Sequence, residues 1–160
     1  MGGAIDIQIF VDDLDGQEIA ALLGQHLELM ASVTPAESIH ALDLKALKAP
    51  EVTFWSAWRR NALVGCGALK ELDPQHGEIK SMHTAKSFRG QGIGQALLDH
   101  IIGEARTRGY GRLSLETGSM KAFEAARAFY LKNGFQRCAP FADYEDDPNN
   151  VFMTRPVSVS

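Results

Sequence analysis

No other stretch of the 160 residues limits the fold as narrowly as the one from Glu78 to Gly109. It reads Glu-Ile-Lys-Ser-Met-His-Thr, then Ala-Lys-Ser-Phe, then Arg89-Gly90-Gln91-Gly92-Ile93-Gly94. Gly90, Gly92 and Gly94 remove Cβ atoms at alternate positions, so the backbone can bend sharply and bring its N–H groups close to a ligand. Beyond Ile93, the apolar residues Leu97, Leu98, Ile101, Ile102 and Ala105 keep a helical period, and Gly109 supplies a stop. The stretch therefore predicts strand, glycine turn and helix. Unpaired N–H groups and the positive end of the helix dipole would converge at that turn, which suits an anion. An ordinary helix start that needed flexible residues would show the same glycines.

The length predicts one domain over residues 1–160, large enough to bury about 70% of its unfolded surface. A net charge of −4 gives no footprint for general nucleic-acid or anionic-membrane binding. Cys66 and Cys138 show neither Cys-x-x-Cys nor Cys/His spacing, which argues against zinc and redox chemistry and predicts two buried thiols. The first residues have no myristoylation signal or secretory pattern, and no apolar run is long enough to span a bilayer. The expectation is a reduced, cytoplasmic protein with no nucleic-acid or membrane partner. A homodimer stays open.

Ile5, Ile7, Ile9 and Val11 alternate with Asp6, Gln8, Phe10 and Asp12, predicting a first strand with one face largely buried. Asp15 and Glu18 resemble a capping box before a helix from about Gly16 to Ala31, and Thr34-Pro35-Ala36-Glu37 opens a second helical segment closed by Ala49-Pro50. Two β-rich runs between Val52 and Leu69 are separated by Arg59-Arg60-Asn61-Ala62, which suits a hairpin. Asp73-Pro74-Gln75-His76-Gly77 is the next turn, so a three-stranded meander precedes the glycine turn. Arg112 to Thr117 predicts a strand parallel to the one at Glu78, joined by a right-handed crossover. Lys121 to Asn133 predicts a helix stopped by Gly134. Phe135–Cys138 and Val151–Thr154 are the last strands, joined by a carboxylate-rich loop.

A dinucleotide fingerprint fails, because the position that needs Gly or Ala is Gln95 counting from Gly90 and Leu97 counting from Gly92, and no Walker loop occurs. Arg89-Gly-Gln-Gly-Ile-Gly94 instead resembles the Arg/Gln-x-x-Gly-x-Gly/Ala signature of the GNAT superfamily, N-acyltransferases that use acetyl-CoA or a related acyl-CoA. Glu78-Ile-Lys-Ser-Met-His-Thr resembles that family's preceding strand, and Ala126-Arg-Ala-Phe-Tyr130 through Gly134-Phe135 resembles its later helix. The order of predicted elements agrees over nearly the whole chain. The resemblance implies an α/β (α+β) domain of three layers, with a mixed, mainly antiparallel sheet of about seven strands and about four helices.

The same resemblance implies residue roles. Backbone amides of Arg89, Gly90, Gln91, Gly92, Ile93 and Gly94 would hold the CoA pyrophosphate, with the Arg89 side chain adding charge. Met82, His83 and Thr84 would pair with the pantetheine arm. Acetyl transfer to an amine needs a base for the ammonium and a donor for the departing sulfur. Tyr130 matches the family tyrosine that protonates or hydrogen-bonds that sulfur, and Glu78 lies where several relatives place a base. Glu116 is the second candidate base, or a holder of the substrate ammonium. The chain departs from many relatives at Phe123, where they carry Asn, so Leu115–Gly118 and Cys138–Phe141 are candidate walls particular to this subgroup. His40, Lys80 and Tyr144 are candidate acceptor contacts beside bland readings: a helix-surface histidine, an exposed lysine and a solvated acidic loop. The implied activity is N-acetyl transfer from acetyl-CoA to a small-molecule amine in a ternary complex, without a metal. A CoA-binding sensor and a protein or peptide N-acetyltransferase are the rivals.

Overall fold

The computed structural model describes residues 6–33 and 44–157. Seven strands form one sheet in the order β1-β2-β3-β4-β5-β7-β6. They are β1 (Gln8–Val11), β2 (Val52–Arg59), β3 (Ala62–Asp73), β4 (His76–Thr84), β5 (Arg112–Gly118), β6 (Gln136–Cys138) and β7 (Asn150–Pro156). The helices are α1 (Gln17–Val33), the single turn α2 (Leu44–Leu47), α3 (Ile93–Arg108) and α4 (Glu124–Lys132). Every strand pair is antiparallel except β4 with β5, which the α3 crossover makes parallel as expected.

Adjacent residues of β2 show how the layers arise, because successive side chains on a strand point to opposite faces. Trp55 joins the core under α3 with Leu98, Ile101, Ile102, Ala105, Ile79, Leu113 and Leu115. Its neighbour Phe54 joins the core under α1 with Ile19, Leu22, Leu23, Cys66 and Ala68. Each fully buried Leu or Ile contributes about 1.5–3 kcal/mol, so the period that predicted α3 is also what fastens it to the sheet. Gly109, at φ 81°, ends α3 with its N–H on the carbonyls of Ala105 and Arg106.

The sheet opens at one place. Ser81 sits at φ 58°, and the β3–β4 register slips between Cys66 and Ala68, so Ile79 and Met82, three apart, both face α3. Such a bulge bends its strand. β4 pairs with β5 only from His76 to Ile79, opposite Arg112 to Leu115. Past that point β4 continues to Thr84 and β5 to Gly118, each without the other. The result is a fork.

Several expectations need correction. β1 is a four-residue edge strand, and Val11, expected on the buried face, is 71% exposed because among the described residues no element covers that end. Cys66 is fully buried, but Cys138 is only half-buried because β6 is the other edge. The turn at Lys121–Phe123 is 3₁₀, so α4 proper starts at Glu124. Three helices exceed a single turn rather than four, since only Leu44–Leu47 of the second helical segment is described. His40 lies outside the described residues.

Candidate active site

The glycine turn closes the end of β4. A 3₁₀ turn at Lys86–Phe88 leads to Arg89, and Gly90 and Gly92 take φ values of 78° and 82°, left-handed conformations that an L side chain resists. Gly92 is the N-cap of α3 and no side chain caps this end, which leaves the first helical amides directed out of the turn. Around Gly90 a Cβ would meet nothing within 4 Å, so the space is open. Gly94 is different: it is helical, and a Cβ there would make ordinary contact with Thr84 Oγ1 at 3.7 Å and Phe129 Cζ at 3.9 Å. Arg89 reaches back to the Thr84 carbonyl at 3.5 Å, and Arg59, from the end of β2, donates to Gln91 Oε1 at 2.6 Å. This open turn, its free helical amides and the unpaired edge of β4 fit a phosphate-bearing chain that runs from the turn into the fork.

Ile79 and Leu115 form the last pair before the fork, so Glu78 on β4 and Glu116 on β5 flank it. The Glu78 side chain is buried, and its Oε2 accepts from Tyr144 Oη at 2.5 Å and Lys80 Nζ at 3.3 Å. Lys80 also donates to Tyr144 Oη at 3.1 Å. Burial, then the charge of Glu78, pushes the Glu116 carboxyl up to about 8, so Glu116 keeps its proton at neutral pH. Beside this group His76 Nε2 lies 2.6 Å from Ser114 Oγ, which meets Thr154 Oγ1 at 2.9 Å. Burial lowers the His76 pKa.

Tyr130 comes from α4. Its ring is buried between the edges of Phe129 and Phe135, with centroids 5.2 and 5.5 Å away, and burial raises its phenol above the ordinary 10. Gln95 Nε2 donates to Asn133 Oδ1 at 2.8 Å, tying the start of α3 to the end of α4. Phe123 packs on the backbone of Gly118, where a Cβ would overlap its ring. The unusual Phe123 is thus matched by a glycine on β5.

The fold therefore brings Met82, His83 and Thr84 to the arm of β4 beyond the fork and Arg89–Gly94 to its end. Glu78, Lys80, Glu116 and Tyr144 gather at the base. Met82 turns its side chain to the α3 core and His83 is buried, and along both residues β4 is not paired with β5. Sequence reasoning offered Tyr144 as an acceptor contact or part of a solvated loop and Phe141 as part of a wall, but missed the packing of one on the other, the contact of Tyr144 with Glu78, Arg59 and the Gln95–Asn133 tie. For Phe141 and Tyr144 the available signal was two aromatics in a polar loop. Among the described residues, no group of three or more His, Cys, Asp or Glu has metal-ligand placement, and no helix is long and apolar enough to cross a membrane.

The profile of the acetyltransferase (GNAT) family matches residues 20–135. The uncharacterized N-acetyltransferase YsnE of Bacillus subtilis is 57% identical, over 93% of this chain and 99% of its own. A protein of Azospirillum brasilense named IAA acetyltransferase is 41% identical, over 80% of this chain and 83% of its own. The crystal structure of a candidate acyl-CoA N-acyltransferase from Klebsiella pneumoniae superposes with a TM-score of 0.80 at 31% identity, over 95% of this chain and 98% of that one. At fold level, a GNAT acetyltransferase from Elizabethkingia anophelis solved with acetyl-CoA bound gives a TM-score of 0.68 at 21% identity, over 94% of this chain and 98% of that one.

Proposed function

The chain belongs to the acetyltransferase (GNAT) family and is an acyltransferase, and from that footing we propose that it moves an acetyl group from acetyl-CoA to a primary amine of a small molecule, by direct attack while both are bound. The fork carries this reading: a freed edge of β4 runs into an anion cradle at one end and meets two carboxyl groups at the other. In it the amides of the Arg89–Gly94 turn hold the pyrophosphate and Arg89 adds charge. Met82, His83 and Thr84 offer backbone groups to the pantetheine arm. Acetyl-CoA, when bound there, supplies a thioester carbonyl open to attack by an unprotonated amine.

An amine with a pKa of about 10 arrives as the ammonium and must lose a proton first. Glu78 takes that proton; Glu116, which holds its own up to about pH 8, is the poorer acceptor at neutrality. As the C–N bond forms and the C–S bond breaks, the sulfur gathers charge and the Tyr130 hydroxyl donates to it. Handing the proton over fully is uphill, because the phenol sits above 10 and a thiol near roughly 8.5. Tyr130 thus acts as a hydrogen-bond donor. The loop over the acceptor side, packed through Phe141 and Tyr144, favours small acceptors over a chain terminus. With acetyl-CoA as donor, the proposed setting is the cytoplasm.

Thiol release from acetyl-CoA across a panel of amines tests the reading, with amino acids, diamines and a peptide N-terminus all included, and IAA, after the name of the Azospirillum relative, assayed beside them. Turnover with at least one small amine is expected. The best kcat/KM on the peptide would overturn the small-molecule acceptor, and calorimetric binding of acetyl-CoA with no turnover on anything would leave only a binding domain.

A further inference from the structure

The loop 139–149 between β6 and β7 carries Asp143, Glu145, Asp146 and Asp147, and its composition suits solvent. Two aromatics pin it to the sheet instead. Phe141 packs edge-on against Phe152 of β7 with centroids 5.8 Å apart, and Tyr144 packs against both, at 5.2 Å from Phe141 and 5.5 Å from Phe152. Lys80 lies over the Tyr144 ring at 5.8 Å. Clamped in this way, the phenol meets Glu78, 66 residues away in sequence.

The geometry of that meeting is one-sided. Tyr144 Oη and Lys80 Nζ both donate to Oε2 of Glu78, and among the described residues no donor reaches Oε1. A carboxylate has about four acceptor sites over its two oxygens, and one taken out of water needs its charge compensated. Here the compensation falls on a single oxygen. Burial, with Glu78 and then Glu116 nearby, keeps the Tyr144 phenol far above its ordinary 10, so it remains a donor throughout the working pH range.

We propose that Tyr144 is a positioning residue: with Lys80 it holds Glu78 by Oε2, so that Oε1 is the oxygen presented to the proton of the acceptor amine. The inference rests on Glu78 serving as the base. It adds that this base is set by a loop on the acceptor side and not by the strand alone. A charge-assisted hydrogen bond restricts both the distance and the direction of the carboxylate, and a reacting group displaced by about 1 Å can lose roughly 100-fold in rate. Lys80 is thereby engaged with Glu78 and Tyr144, which leaves it a poor candidate for holding a substrate carboxylate.

Tyr144→Phe is the informative variant, because it keeps the ring that packs on Phe141 and Phe152 and removes only the hydroxyl. Wild type, Tyr144→Phe, Glu78→Gln and the double variant are compared with the best amine of the panel, measuring kcat, both KM values, acetyl-CoA affinity by calorimetry and the thermal midpoint. Tyr144→Phe is expected to lower kcat about tenfold, the loss of one charge-assisted bond, with acetyl-CoA affinity within about twofold of wild type. In the Glu78→Gln background the same change is expected to cost nothing further, because residues that act through one another are non-additive. Wild-type kcat in Tyr144→Phe overturns the proposal, and so does an equal factor lost in the Glu78→Gln background. A loss seen only in acetyl-CoA affinity or in thermal midpoint, with kcat kept, reduces Tyr144 to a structural anchor and also overturns it. Full turnover by Glu78→Gln alone removes Glu78 as base, and that single variant separates failure of the earlier reading from failure of this one.

Discussion

Glu116 imposes a pH-dependent penalty on the folded state. Its carboxyl titrates near 4.5 in an unfolded chain and near 8 in the fold, where burial and then Glu78 oppose the charge. Below about pH 4.5 both states are protonated and the group favours neither; as pH rises towards 8 only the unfolded state sheds its proton, so stability falls, and above 8 the loss levels off. Thermal unfolding of Glu116→Gln should therefore gain on wild type between pH 5 and pH 8.5, and a midpoint difference that ignores pH would contradict the shift. Tyr130→Phe belongs to the same scale: it should lower kcat by at least about tenfold while calorimetry finds acetyl-CoA affinity nearly unchanged. Both residues could be picked out from the sequence, Glu116 from its strand and Tyr130 from its helix motif. Their partners could not. The pairing of Glu78 with Tyr144 crosses 66 residues and depends on where a loop of irregular conformation comes down, which no local pattern records.

Among the elements, α3 was the most legible, because an apolar period ending in glycine specifies both a buried face and a stop. Its start was legible in kind but not in detail: the left-handed backbone is needed at Gly90 and Gly92, whereas Gly94 sits in ordinary helix. Gly92→Ala is accordingly expected to lose roughly 1–2 kcal/mol of stability and to weaken acetyl-CoA binding, read by denaturant melts and calorimetry. Gly94→Ala should bind acetyl-CoA nearly as wild type, and equal losses in the two variants would contradict the assignment. The bulge in β4 left no trace in the sequence, since His76–Thr84 reads as a continuous strand and serine does not advertise a positive φ. β1 failed for the opposite reason: alternation was present, but an edge strand whose end no described element covers does not bury the face that alternation marks.

For the molecule as a whole, stability rests on apolar clusters on both faces of the sheet, under α1 on one side and along α3 on the other. Ile101, on the fully buried face of α3, should cost about 2–5 kcal/mol when cut to Ala, a fall of roughly 5–15 °C in thermal midpoint. Leu131→Ala, at a side chain 55% exposed, should fall within about 0.5 kcal/mol of wild type, and a large drop there would signal a contact beyond this chain. The mixed sheet and its parallel crossover could be anticipated from the order of elements. The insertion of β7 between β5 and β6 could not, because sequence neighbours are the default spatial neighbours and this pair departs from it. That insertion also bears on how such enzymes diversify. Loop 139–149 joins two antiparallel neighbours, so residues can be added or removed there without shifting any strand, whereas the glycine turn is confined between a strand and a helix packed on the same core. On the proposed reading, an exchanged loop must still bring a phenol to Glu78 through the clamp on Phe152, so acceptor contacts could be varied at its other positions while the glycine turn is left as it is.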